Sequence, residues 1–594
     1  MDRTGLNHHL SRRMFSSRST KPGWSGGLLL FVLAALFIAA RIYCASVYRV
    51  DSDEPQHLHV VWGVSQGLVQ YRDLFDNHSP LFQLLCAPLF RALGERADIL
   101  VAMRMAMIPL YLSCLGCVYL ICSALFSWRC AILAVLLTGF HWRFFCTSIE
   151  FRPDNLWALN WLLLLTVLVR VRPPTWRWLL AGLLAGIGFS ISMKTTVMMM
   201  DLAGAGALTW FICRNALQSA SPAQPARNAG LFLAGLATVP GILLARFAAK
   251  GALVGDGPNN LLYCMIRHNL IAASERTRFF TLREIAALAA LAGVVWWCGR
   301  VYRSTTDRGL GARRVFLLIA GGFYPVILFV IWPLVTGEDY LALLPMVGMT
   351  VAPALLAVLE KLSQFAPRFG WCATALPSCL IAGEIAMDVQ ETKPWHDRTA
   401  LQEQFIANTL KLADPQDYVM DSKGEMIYRN RPYFYVLEEM TRWMFKAQKL
   451  QDDIPDQMVS HAVCIVARNA ERYPLRTVIF LRENYVPVAF RLLVAGRILS
   501  PEPGGNAVEF HIAVPARYAL VWPTQPGEAL LDGKPYTGPL NLAVGPHTLQ
   551  VTKGSGGPMA LLWAKAVERG FFPYYQPSEA EKLETSQARH DNIL

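Results

Sequence analysis

The run Asp51-Ser52-Asp53-Glu54-Pro55-Gln56-His57-Leu58-His59 gathers three carboxylates and two histidines within nine residues. A proline at position 55 suits the first turn of a helix. Two readings follow for its acids. Ser52 or Asp53 caps the helix start, where a carboxylate also gains from the helix dipole. Alternatively, one ionised carboxylate takes the proton of an attacking hydroxyl, work that needs an acceptor-only group at the reacting centre. The two roles are compatible, and Asp53 with Glu54 beside it is the candidate base.

Other ionisable residues stand at similar junctions. In Met193-Lys194-Thr195-Thr196 a lysine separates two apolar halves, a placement costing about 2.5 to 3.5 kcal/mol unless the ammonium snorkels or meets an anion such as phosphate. Glu150, Arg152 and Asp154 surround Pro153: Glu150 can simply neutralise Arg152, or the guanidinium fork can reach an oxyanion. Arg267 and His268 form an anion clamp or a solvated loop pair. His57 and His59, two apart on a helix, point away from each other, whereas Asp53 and His57 share a face that His78 could complete into a divalent-metal site. The alternative for His57 is to orient a carboxylate or hydroxyl. No other cofactor is implied, and no Gly-rich nucleotide loop is evident.

The elements that must position these residues are membrane spans. Of 594 residues, 54% are apolar and 16% charged, too oily for a soluble chain of this length. The excess of Lys and Arg over Asp and Glu, 55 to 43, reads as cytoplasmic-loop cations, and no basic patch interleaved with aromatics suggests nucleic acid. Twelve of the thirteen cysteines lie in the apolar part and Cys464 alone in the polar part, which excludes a disulfide framework there; no two CxxC units have zinc-ribbon spacing.

Candidate spans fall near 26–47, 98–127, 130–147, 155–170, 178–193, 196–213, 229–248, 281–299, 315–334, 340–360 and 370–387, about eleven in all. Basic residues recur in every second loop: the tail 1–24, Arg129, Arg170 to Arg177, Arg214 with Arg227, Arg300 to Arg314, and Lys361 with Arg368. The positive-inside rule then puts the N-terminus in the cytoplasm and the region from 388 outside, in the periplasm of an inner membrane. Asp53, Glu54, His57, His78, Arg152, Asp154, Arg267, His268, Glu338 and Asp339 share the outer loops. The first of these loops is about 48–97, and Pro80–Leu93, too short to span, reads as an interfacial or re-entrant helix.

The expected division is thus a tail 1–24, a membrane module 25–387 and a soluble α+β domain 388–594. In that domain Leu401–Leu412 and Tyr433–Leu450 read as helices. Thr477–Leu481, Tyr518–Trp522 and His547–Val551 read as strands, with a turn at Asp532-Gly533-Lys534-Pro535.

The Asp53-Glu54 pair after the first span, then Tyr71-Arg72-Asp73-Leu74-Phe75-Asp76-Asn77-His78-Ser79-Pro80-Leu81, resembles the lipid-dependent glycosyltransferases of GT-C fold, which include protein O-mannosyltransferases and the lipid A aminoarabinose transferase. The resemblance continues at Phe151-Arg152-Pro153-Asp154, at Met193-Lys194-Thr195-Thr196 and at Asp339-Tyr340-Leu341-Ala342-Leu343-Leu344-Pro345, and reaches over roughly the first 360 residues. It implies Asp53 as catalytic aspartate, Asp154 as a second acid shaping the site, and Lys194 and Tyr340 at the carrier phosphate. Where the aminoarabinose transferase has Lys before the Pro of its first loop, this chain has His78-Ser79-Pro80, a departure at the position of phosphate contact by that loop.

The resulting expectation is an inverting transfer from a polyprenyl-phosphate sugar in the membrane lipid to a glycan, lipid or protein acceptor, Asp53 acting as base. The rivals are a transporter or flippase, disfavoured because no internal repeat is found and the charges gather at one face, and a scaffold whose outer acids are solvated surface.

Overall fold

The computed structural model describes residues 24–217, 223–268, 282–332, 335–365, 371–469, 471–502, 504–554 and 557–582. The N-terminal tail cations and Arg368, assigned above to the cytoplasm, lie outside the described residues. The chain divides into two compact units: Met1–Arg49 with Asn77–Leu85 and Val101–Asp397, and Val50–Asp76 with Cys86–Leu100 and Arg398–Leu594. Residues 50–76 and 86–100 of the first outer loop therefore group with the C-terminal region.

The first unit is a polytopic helical membrane body. Among the described residues six helices are long and apolar enough to span: Ile99–Leu125, Thr195–Cys213, Gln224–Ala249, Glu284–Ser304, Arg308–Val330 and Gly337–Leu362. Helices also occupy the remaining expected spans, at Trp24–Val47, Trp128–Gly139 with Trp142–Thr147, Pro153–Arg170, Pro174–Ile191 and Cys372–Thr392. The stretch 130–147 is thus two rods rather than one. The Tyr111 hydroxyl takes the Gly139 carbonyl at 2.7 Å, and His141 is extended (φ −66°, ψ 117°), so the chain restarts as a helix at Trp142. At the end of Trp24–Val47, Arg104 donates to the carbonyls of Tyr48 (2.8 Å) and Arg49 (2.7 Å), closing that terminus with a cation.

Helix contact in this unit runs through glycine. A Cβ on Gly182 would stand 2.0 Å from the Phe232 carbonyl oxygen, one on Gly186 2.4 Å from that of Leu236, and one on Gly235 2.4 Å from that of Leu179. Helices Pro174–Ile191 and Ala223–Ala249 consequently meet backbone to backbone, as small-xxx-small seams do in membranes.

The second unit carries the strands β1 Val419–Met420, β2 Ile465–Ala467, β3 Tyr485–Ala489, β4 Leu492–Leu499, β5 Val508–Ile512, β6 Ala516–Val521, β7 Glu528–Leu531, β8 Lys534–Pro535, β9 Leu540–Leu542, β10 Gly545–Lys553 and β11 Met559–Trp563. A seven-stranded sheet has the order β1-β2-β4-β11-β6-β9, with β3 also on β4, and a four-stranded sheet has the order β5-β10-β7-β8. The α+β reading of this region holds. The helix Ala400–Leu412 and strands β6 and β10 lie where expected, and Asp532 (φ 51°) with Gly533 (φ 73°) makes the tight turn joining β7 to β8.

Two expectations fail here. Tyr433–Leu450 is helical only over Glu439–Lys446, because Glu438 caps at that point, accepting from Met440 N at 2.7 Å and Thr441 N at 2.9 Å. Thr477–Leu481 is part of a helix, Leu475–Asn484, not a strand. Its β-branched residues favour a strand locally, but Asp452 accepts from Thr477 N (3.0 Å) and Thr477 Oγ1 (2.7 Å), supplying first-turn acceptors from a distant loop.

Candidate functional site

In the membrane unit three junctions bring charge together. Arg152 is extended (φ −138°, ψ 147°) and precedes Pro153 at the first position of helix Pro153–Arg170, so Asp154 falls in that helix's first turn. Ser192, also extended (φ −156°, ψ 136°), stops the helix Pro174–Ile191, and Lys194 occupies the gap before Thr195–Leu217. Trp157 Nε1 donates to Thr195 Oγ1 at 3.1 Å and pins that gap to the helix bearing Asp154. The third junction is a single 3-10 turn, Gly337–Asp339, closed by a capping box in which Thr336 is the N-cap and the Asp339 carboxylate accepts from Thr336 N at 2.9 Å.

The Lys194 ammonium lies 3.1 Å from Asp154 Oδ1, 2.7 Å from Asp339 Oδ1 and 3.5 Å from Glu338 Oε1. Arg152 reaches Glu150 (3.4 Å), Asp154 (3.6 Å) and Glu338 (3.1 Å). One oxygen of Glu338 therefore bridges both cations. These side chains are all largely buried, where charges persist only when paired. The contact between Arg152 and Glu150 is the neutralising one weighed from the sequence, but it is one strand of a larger cage.

Tyr340 follows directly on Asp339, and the Arg143 guanidinium sits 4.7 Å from its ring centre. His78 is half-buried and within electrostatic reach of Asp154. Arg267 is exposed on a π-helical turn, 5.8 Å from the Tyr263 ring, and His268 beside it is fully buried. Neither takes part in the ion pairs described around Lys194.

In the second unit Asp53 opens the helix Asp53–Ser65. The capping expectation needs correction: Ser52 makes no side-chain cap, and Asp51 does the work, accepting from Asp53 N at 2.9 Å while Glu54 Oε2 accepts from Asp51 N at 3.0 Å. Glu54 and His57 are fully buried in that helix, whereas the Asp53 side chain remains 28% exposed. Asp53 Oδ1 is ion-paired with the Lys423 ammonium, which also contacts Ser52 Oγ at 3.4 Å. Sequence reasoning missed Lys423, since a lone lysine in a polar region carries no signal.

Lys423 is presented by a buried turn. Asp421 accepts from Gly424 N (2.7 Å) and Met426 N (2.8 Å), Glu425 accepts from Lys423 N (2.7 Å), and Arg431 Nε meets Asp421 Oδ1 at 2.9 Å. His59 Nδ1 lies 2.8 Å from the Ile427 carbonyl, and Gly424 (φ 80°) abuts the same histidine so closely that a Cβ would stand 2.6 Å from His59 Cβ. Burial, helped by the charge of Arg431, drives the His59 imidazole down to about 4, so it is neutral. Burial and the neighbouring Glu425 push Asp421 up to about 6 against the pull of Arg431.

Among the described residues no group of three His, Cys, Asp or Glu side chains is arranged to hold a metal ion, so the Asp53, His57 and His78 set has no geometric support.

Residues 77–239 match the family described as dolichyl-phosphate-mannose-protein mannosyltransferase, a stretch that includes Arg152, Asp154 and Lys194. Among solved structures the chain is similar to ArnT from Cupriavidus metallidurans bound to undecaprenyl phosphate, at 12% identity, TM-score 0.52, over 80% of this chain and 98% of that one. It is similar to the same protein in the apo state at 13% identity and TM-score 0.51, over the same shares. No curated protein matches significantly. The chain has the GT-C membrane fold.

Proposed function

We propose that the chain is a membrane glycosyltransferase that moves a sugar from a polyprenyl-phosphate carrier to an acceptor hydroxyl on the extracytoplasmic side of the membrane, with inversion at the anomeric carbon. One observation carries the assignment of the base. Within the Asp53-Glu54 pair, Glu54 is sealed and committed to a backbone N–H, while the Asp53 side chain, paired with Lys423, keeps 28% of its surface exposed at the helix start. The match of residues 77–239 to the mannosyltransferase family, and the likeness of fold to a protein solved with undecaprenyl phosphate, support the donor class.

In this reading Asp53 takes the proton as the acceptor oxygen bonds to the anomeric carbon. The bond from that carbon to the phosphate oxygen breaks, and its electron pair leaves with polyprenyl phosphate. Phosphate is a good leaving group, so the donor side needs cations more than a general acid. Lys194 and Arg152 are assigned there with Tyr340, and His78, Arg267 and His268 stand as further donor contacts. Asp154 and Asp339 hold Lys194 in place. Glu338 is the acid that yields: its carboxylate bridges the two cations, and an incoming phosphate oxygen takes over that bridging role.

The test is Asp53→Asn, assayed by release of polyprenyl phosphate from polyprenyl-phosphate mannose in membranes. Transfer should vanish, a loss of two or more orders of magnitude, in protein that expresses and elutes like the parent. Turnover near that of the parent would remove Asp53 from the chemistry.

A further inference from the structure

We propose that Lys423 is a positioning residue for Asp53: its ammonium keeps that carboxylate ionised and fixes its orientation at the start of the helix. The inference rests on the reading of Asp53 as the base, and it adds a residue from the C-terminal region to the machinery.

The turn that carries Lys423 closes without the lysine side chain. Asp421 and Glu425 take its backbone N–H groups, Ser422 and Asn469 donate to Glu425, and Arg431 donates to the Asp421 and Tyr435 carbonyls at 2.9 and 3.0 Å. A residue that helps close its turn only through its backbone N–H has no local reason to be lysine. Its side chain is nonetheless only 5% exposed, and lysine is almost never sealed from water unless an anion meets it. The anion it meets is Asp53.

The turn is also registered on the helix of Asp53. It touches that helix at its start, through Lys423, and six residues later, through His59 and the Ile427 carbonyl. Gly424, beside the lysine, must be glycine for the turn to lie that close. Two contacts on one rigid helix fix the angle of Lys423 as well as its distance, which a single surface ion pair would not do. Lys423 does not exchange a proton in this scheme. An adjacent ammonium favours the charged form of a carboxylate, and it keeps Asp53 from collecting a solvent proton before the acceptor arrives.

The experiment reads the pair without needing substrate. In the full-length protein in detergent, carboxyl groups are labelled with a carbodiimide and glycine ethyl ester across a pH series, and Asp53 labelling is followed by mass spectrometry. The acid gives its proton to a carbodiimide nitrogen and adds through oxygen to the central carbon, and the amine of glycine ethyl ester then displaces the urea, so the midpoint reports when Asp53 loses its charge. Lys423→Met should move the Asp53 midpoint upward by about one pH unit or more. Lys423→Arg should restore it, and the exposed Asp456 should label alike in all three proteins. The acid limb of polyprenyl phosphate release from polyprenyl-phosphate mannose should move in parallel. An unchanged Asp53 midpoint in Lys423→Met, in protein that elutes and melts like the parent, overturns the role of Lys423. Full activity of Asp53→Asn overturns instead the base on which it stands. If Lys423→Met does not fold, Lys423→Gln takes its place: an Asp53 midpoint above that of Lys423→Arg supports direct pairing, and equal midpoints in the two variants refute it.

Discussion

In the membrane unit four carboxylates, Glu150, Asp154, Glu338 and Asp339, gather on Lys194 and Arg152, while in the second unit Asp53 pairs with the ammonium of Lys423. The first arrangement is acid-rich and shared: each cation serves several anions and Glu338 serves both cations. The second is a local pair held by a turn that has its own hydrogen bonds. A shared cage tolerates the loss of one acid but not of a cation, whereas a pair set on a rigid turn can be tuned by its immediate surroundings.

The largest expected effect breaks the cage. Lys194→Ala leaves the buried Asp339 without its cation and Asp154 with only its 3.6 Å contact to Arg152, and should cost about 3 to 5 kcal/mol, read as a large fall in melting temperature in detergent. It should also weaken use of the lipid donor. A variant as stable as the parent would show that the acids find other partners or protons, and the contrast between the two regions would lapse.

A smaller effect belongs to the second unit and depends on pH. His59 titrates at about 4 in the folded protein and at 6.5 when unfolded, so the unfolded chain takes up its proton first as pH falls. Its contribution, about 3 kcal/mol, is complete above 6.5 and fades toward 4. Asp421, held at about 6 against 3.8 unfolded, acts in the opposite sense. Its protonated form favours the folded state, a contribution full below 3.8 and lost as pH rises through 6, again about 3 kcal/mol. The two offset each other between pH 4 and 6. Asp421→Asn removes one side, so its melting temperature should drop further on acidification from pH 6.5 to 4 than that of the parent. Parallel curves for both proteins would mean that His59 and Asp421 do not oppose each other as described.

The smallest effect sharpens the comparison. Glu338→Gln removes one of four acids and leaves both cations partnered, so it should change stability by about 1 kcal/mol or less. On the proposed reading, in which a phosphate oxygen takes over the bridging role of Glu338, the variant's apparent affinity for the lipid donor should rise. Unchanged donor affinity would count against the exchange of Glu338 for phosphate.

The helices of the membrane unit were legible because a twenty-residue apolar run has few alternatives, and Asp53, Asp154 and Lys194 stood out as charges at their ends. The cage was not legible. Glu150 and Glu338 join it from loops almost two hundred residues apart, and only the folded helices bring them to a common guanidinium. Lys423 was hidden for a related reason, since its partner lies 370 positions away. Helix Leu475–Asn484 was misread because Thr477, Val478 and Ile479 favour a strand by themselves, and the acceptor that decides otherwise, Asp452, lies 25 residues back.

The glycine seam between Pro174–Ile191 and Ala223–Ala249 bears on Lys194, which follows the first of these helices by three residues. Two rods fused along their spines cannot slide without breaking many atomic contacts at once, so the lysine hangs from a stiff bracket. Sequence drift along that bracket is confined to its lipid side: even one methyl group at Gly182 would prise the rods apart and swing the ammonium away from the carboxylates waiting for it.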